Sequence, residues 1–126
     1  MNCLSPASAK NAGHYSPGVL SCGLLYISGQ LSKDPATGAV ASGSIGDHVR
    51  MALNNVEAVA QRAGLNRNDI IQCRIYITDI HAWDEVNEVF LEFFGTHKPA
   101  RIVLSVPELH FGCKAEIEAI AECRKE

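Results

Sequence analysis

The sequence predicts an α+β fold in two layers, two helices packed against one mixed sheet. Three observations predict it. Residues 45–65 and about 82–94 repeat apolar side chains every three or four positions, the period of a half-buried helix. Residues 19–31, 69–78, 101–106 and 113–122 are short and apolar, and largely alternate with the period of a strand. The resulting order is strand, strand, helix, strand, helix, strand, strand, with a loose similarity between halves: each offers a strand pattern followed by helix and strand.

The first 18 residues are polar and small, with Pro6 and Pro17, and read as an extended entry segment. VLSCGLLYISGQL, residues 19–31, reads as two strands or as one strand with a turn at Cys22-Gly23. Leu25 and Ile27 alternate there with Leu24, Tyr26 and Ser28. Gly29 is expected to close the strand, and glycine in a strand marks a point where something approaches the backbone. SKDPATGAVASGS, residues 32–44, is turn chemistry punctuated by Asp34-Pro35 and Thr37-Gly38.

The first helix, residues 45–65, places Ile45, Val49, Ala52, Leu53, Val56, Ala60 and Ala63 on its buried face. Arg50, Asn54, Glu57 and Gln61 form the polar face, and Gly64 follows as a C-terminal glycine. The strand near 69–78 turns Ile71, Cys73, Ile75 and Ile77 one way and Gln72, Arg74, Tyr76 and Thr78 the other. In the second helix the apolar stripe is Trp83, Val86, Val89, Phe90, Phe93 and Phe94, ended by Gly95. Asp84, Glu85 and Glu88 load its first turns with negative charge, which suits the helix dipole.

RIVLSV (101–106) and CKAEIEAIAE (113–122) flank the loop PELHFG (107–112). Strand alternation gives Ala115, Ile117, Ala119 and Ala121 one uniformly apolar face. Glu116, Glu118 and Ile120 share the other face, an unusual neighbourhood for open solvent. It suits a cleft or a second subunit. Arg101 shares a face with Val103 and Ser105, and stands near Glu116 if the two strands pair or lie adjacent.

The chain has 126 residues, no linker, and reads as a single domain over 1–126. Its formal net charge of -3 argues against a nucleic-acid partner. No apolar run reaches membrane-spanning length. The N-terminus lacks the basic-then-apolar order of a signal peptide, so a cytoplasmic protein is expected. Five cysteines are widely spaced without a CxxC pair, and the five histidines form no HxH or HxxxH pair, so no metal is expected. Core packing is the expectation for Cys73, and Cys3 and Cys123 lie near the termini. Taken as chemistry alone, Arg101 reads as a surface or ion-paired residue and Glu116 and Glu118 as solvated carboxylates. Tyr15 and Tyr76 read as half-buried packing residues, and Asn87 as part of a solvated helix face. No nucleophile elbow or phosphate-cradling glycine loop is present.

PAR at 99–101 followed by KAEIEAIA at 114–121 resembles the C-terminal signature of the Rid/YjgF family, the reactive-intermediate enamine/imine deaminases. YISGQLSKDPATG (26–38), residues 47–80 and VNEVFLEFF (86–94) resemble further family segments in order along nearly the whole chain. The resemblance implies a chorismate-mutase-like fold: a mixed six-stranded sheet with two helices on one face. It implies homotrimers with three clefts between subunits. The implied reaction is hydrolysis of 2-imino acids and their enamines, such as 2-aminoacrylate/2-iminopropionate, to 2-keto acids and ammonia, with neither cofactor nor metal.

Residue by residue, the carboxylate-binding arginine matches Arg101 and the water-positioning glutamate matches Glu116. The cleft tyrosine matches Tyr15, the glycine after the second strand matches Gly29, and the asparagine of the VN pair matches Asn87. Glu118 either raises the Glu116 pKa by like charge or pairs with a cation across the subunit interface, the second being preferred. The sequence departs from many deaminases at Val103, where they carry cysteine, at Ile102, and in the loop 107–112. These departures leave room for another substrate such as 2-aminomuconate. A non-catalytic, small-carboxylate-binding or regulatory member of the fold is the alternative from another class. RNA cleavage fits the acidic balance poorly.

Overall fold

The computed structural model of the chain describes residues 1–5 and 13–124. Of the entry segment, residues 6–12, with Pro6, lie outside the described residues. The elements are β1 (Asn2–Cys3), β2 (Gly18–Ser21), β3 (Leu24–Leu31), α1 (Ile45–Arg62), β4 (Ile70–Ile77), α2 (Trp83–Phe94), β5 (Ala100–Ser105) and β6 (Ala115–Glu122). They form one six-stranded sheet in the order β1-β2-β3-β6-β4-β5. Every neighbouring pair is antiparallel except β4 and β5, which α2 joins as a parallel pair. The expected architecture stands, and the sixth strand is the two-residue β1 inside the entry segment.

Both helices cover one face of the sheet. The core between the layers holds Leu25, Ile27, Val49, Leu53, Val56, Cys73, Ile75, Ile77, Val86 and the apolar face of β6, all buried. Ala115, Ile117, Ala119 and Ala121 are at most 5% exposed, as their alternation requires. α1 starts on a capping box: the Ser44 hydroxyl accepts from the Asp47 N–H, and the Asp47 carboxylate accepts from the Ser44 N–H.

Four details differ from the pattern reading. Ile71 is 40% exposed and Ile70 fully buried, because the β4–β6 ladder shifts register between Ile70 and Gln72. Trp83 lies at the first residue of α2 and is 43% exposed rather than buried in the stripe. Glu57 is buried, not part of the solvated helix face. Its carboxylate takes the Arg67 N–H and guanidinium, and Arg67 also donates to the Phe93 carbonyl at 2.8 Å. Gly29 does not close a strand. It sits inside β3, within a register shift between Ile27 and Gln30.

That shift changes which β3 side chains face the helices. Ile27 pairs with buried Ala119, whereas after the shift Leu31 pairs with Glu116 on the opposite face. The end of β3 is then pinned from α1. Asn55 Nδ2 donates to the carbonyls of Leu31 at 3.0 Å and Lys33 at 2.8 Å. Buried His48 uses Nδ1 to accept the Lys114 N–H at 3.1 Å and the Ser32 hydroxyl at 2.6 Å. Burial holds the His48 pKa down, keeping the neutral imidazole this acceptor role needs. The start of β6, and so Glu116, is thereby fixed to both β3 and α1.

Candidate functional site

The five residues expected to form the site fall into two groups. Tyr15, Gly29 and Glu116 line one cavity of about 620 Å³, together with Lys33, His110 and Phe111. Asn87 and Arg101 line another of about 440 Å³, together with Phe90, Leu91, Phe94 and Lys98. The strand register separates the groups. β5 pairs with β4 and does not touch β6 in the sheet, so Arg101 and Glu116 are not on neighbouring strands. Arg101 is in register with buried Cys73, which is in register with buried Ala119, so Arg101 points to the helix side. Glu116 pairs with Tyr76 and Leu31 on the uncovered side. The expectation that Arg101 stands near Glu116 is corrected for a single chain: they occupy opposite faces.

Glu116 is partly buried and has no hydrogen-bond or ion-pair partner among the described residues. Burial raises its pKa above the ordinary carboxylate value, the negative charge of Glu118 adds to the rise, and His110 opposes it. Gly29 makes room for it. A Cβ built on Gly29 would lie 2.6 Å from the Glu116 Oε2, so any side chain there displaces the carboxylate. Tyr15 is 61% exposed at the mouth of the cavity, not half-buried packing.

Glu118 is held differently. It accepts the Tyr76 hydroxyl at 3.0 Å and an Arg74 N–H at 3.2 Å. The cation it pairs with here, Arg74, belongs to β4 of its own chain. Its like charge contributes to the raised Glu116 pKa, in line with the first of the two readings of Glu118.

Arg101 is braced from α2. One N–H donates to Asn87 Oδ1 at 3.1 Å, and the guanidinium carbon lies 5.0 Å and 5.3 Å from the ring centres of Phe90 and Trp83. A guanidinium has five N–H donors, and this arrangement uses one. The remaining donors have no hydrogen-bond partner among the described residues, and such a fork can hold a carboxylate by two parallel bonds. Asn87 is exposed, as a solvated helix face requires, and its side chain also accepts from Arg101. Cys73, behind Arg101 in the core, has its pKa pushed up to about 12 by burial and is a packing residue with an inert thiol.

Trp83 and Phe90 around Arg101, and Lys33, His110 and Phe111 around Glu116, were not singled out from the sequence as site residues. Trp83, Asn87 and Phe90 lie at i, i+4 and i+7 of one helix, a spacing that places them on a shared face and was legible. Nothing local in the sequence brings Lys33 to residues 110–111. No cluster of three or more potential metal-ligating side chains occurs among the described residues. No helix there is long and apolar enough to cross a membrane.

The family profile described as Endoribonuclease L-PSP matches residues 6–123. A RutC family protein of Pyrococcus horikoshii is 39% identical over 112 residues, covering 89% of each chain. The human 2-iminobutanoate/2-iminopropanoate deaminase is 34% identical over 119 residues, covering 94% of this chain and 87% of the human one. Among solved structures, the YjgF gene product of E. coli superposes with a TM-score of 0.87 at 31% identity, covering 98% of this chain and 99% of that one. E. coli TdcF with bound serine superposes with a TM-score of 0.83 at 37% identity, covering 90% and 91%.

Proposed function

The chain belongs to the endoribonuclease L-PSP family, the family of the Rid/YjgF proteins, and from that premise we propose that it is a cytosolic imine deaminase whose active site is completed between copies of the chain. The observation that carries the reading is Glu116: a partly buried carboxylate with a raised pKa, no hydrogen-bond partner among the described residues, and a glycine opposite that leaves it room. A carboxylate serving only structure is normally paired or solvated. One held partnerless and tuned toward neutrality suits proton transfer.

The proposed substrates are 2-imino acids of the kind named for the human relative. Arg101 receives the carboxylate through its free N–H groups and fixes the C=N carbon. Glu116, from the neighbouring copy, holds a water against that carbon. As the water oxygen bonds to carbon, the C=N π pair moves to nitrogen and Glu116 takes a water proton. Glu116 returns that proton to nitrogen. Glu116 then takes the carbinolamine hydroxyl proton as C=O forms and delivers it to nitrogen as C–N breaks, releasing ammonia and a 2-keto acid. The separation of Arg101 and Glu116 on opposite faces supports a site shared by two subunits. So does the uncovered sheet face, where Tyr26, Ile102 and Leu104 are 40–48% exposed. A trimer closes such heterologous contacts into a ring.

The second reading, a small-carboxylate-binding member without catalysis, draws on the serine bound by E. coli TdcF. The two readings part in one assay. A flavin oxidase or a dehydratase generates the imine beside a semicarbazide trap, with Arg101→Ala as control. Reduced semicarbazone formation by the wild type alone supports the deaminase. Binding of 2-keto acids without turnover of any imine moves the assignment to the second reading.

A further inference from the structure

The Glu116 cavity has a cationic and aromatic rim. Phe111 is 58% exposed and sits in the left-handed backbone region, with φ of 62° and ψ of 15°. A bulky residue is disfavoured there, so its neighbours have to hold it in place. The Lys33 ammonium lies 4.0 Å from the centre of the Phe111 ring, and the His110 ring centre is 3.8 Å from it. Lys33, His110 and Phe111 all line the cavity that holds Glu116.

Lys33 is the informative member. Its backbone is fixed by Asn55 Nδ2 on its carbonyl and by a bridge to Val40. Its ammonium has no carboxylate partner among the described residues. The acid groups lining the same cavity have other uses. Glu118 is taken by Arg74 and Tyr76, and Glu116 is the partnerless carboxylate of the site. An acidic chain, at -3, that keeps a cation unpaired on the rim of its reactive cavity leaves it available to an incoming anion.

Resting on the imine-hydrolysis reading, we propose that Lys33, steadied by Phe111 and flanked by His110, is a specificity determinant that favours 2-imino acids bearing a second carboxylate in the side chain. Arg101 of one copy takes the carboxylate next to the imine carbon. Glu116 addresses the carbon itself. The remaining substituent is directed to the rim above Glu116, where its methylenes lie on the Phe111 ring and its carboxylate meets Lys33. The Glu116 charge that would repel a dianion is offset by the Lys33 charge in the same cavity.

The test compares 2-iminosuccinate with 2-iminobutanoate, each generated in situ by a flavin oxidase from its amino acid. The wild type is expected to hydrolyse both and to favour the dicarboxylate. Lys33→Met should lower kcat/KM for the dicarboxylate by about tenfold more than for the monocarboxylate, and Lys33→Arg should restore most of the difference. Phe111→Gly, which relieves the backbone conformation, should narrow the preference without impairing folding. Titration calorimetry with 2-oxoglutarate against 2-oxobutanoate should give the same ranking without turnover. Equal losses on both substrates in Lys33→Met, or a wild type active only on the monocarboxylate, overturn this inference alone. A wild type active on neither imine overturns the deaminase reading and this inference with it.

Discussion

Glu116 and Arg101 carry opposite charges and are held in opposite ways. Arg101 is braced: an asparagine on α2 takes one N–H, and two aromatic rings flank the guanidinium. Glu116 is left alone: no donor among the described residues meets it, and burial and a second carboxylate push its pKa up. Under the proposed function, the difference separates two tasks. A group that binds works best when its geometry is fixed before the ligand arrives. A group that moves protons works best when its charged form is not over-stabilised. Glu118, two residues from Glu116 on the same face, shows the other outcome for a carboxylate: it accepts hydrogen bonds from Arg74 and Tyr76.

The sharpest way to break this comparison is to remove each charge. Arg101→Ala and Glu116→Gln should each lower imine hydrolysis by about a thousandfold, within the range of clamp and acid–base losses. They should differ in stability. Because the folded pKa of Glu116 is raised, its contribution to stability is greatest when it is protonated at low pH and is lost as pH rises through that pKa. Glu116→Gln should therefore melt higher than wild type at neutral pH, with the gap closing under acid. A melting curve at two pH values, beside the activity assay, checks both halves.

Gly29→Ala asks whether the vacancy beside Glu116 matters. The added Cβ would stand 2.6 Å from Oε2, and the end of a side chain moves more readily than backbone. Hydrolysis should fall by about 10- to 100-fold, with the melting temperature little changed, since a misplaced catalytic group costs rate before stability. An unimpaired Gly29→Ala enzyme would detach Gly29 from the site.

The smallest effect is expected at Glu118. Glu118→Gln removes one of the charges that raise the Glu116 pKa, so the acid limb of kcat/KM should move to lower pH. A limb that stays in place would leave burial as the whole cause.

What was legible in the sequence follows the same division. The buried layer could be read because its periodicities are local: the alternation in residues 115–121 and the three-four spacing of α1 fix which face is covered. Misreadings fell where one residue breaks the count. The shift at Ile70–Gln72 put Ile71 outside, and at the shift between Ile27 and Gln30 the strand runs on through Gly29 instead of closing there. Arg101 and Glu116 were both picked out through resemblance. Their placement on opposite faces was not, because it depends on β6 entering the sheet between β3 and β4, a long-range pairing that no local pattern encodes. The braces Trp83 and Phe90 were readable in principle from helical spacing. Lys33 over Phe111 was not, being a contact between two loops distant in sequence.

The central claim is that the clamp and the base meet only between copies. The direct measurement mixes Arg101→Ala and Glu116→Gln chains, unfolds and refolds them together, and assays imine hydrolysis. If each site takes Arg101 from one subunit of a ring and Glu116 from the next, every mixed trimer contains one intact site, and an equal mixture regains about a quarter of wild-type activity. A refolded mixture as inactive as its parents would contradict the shared site.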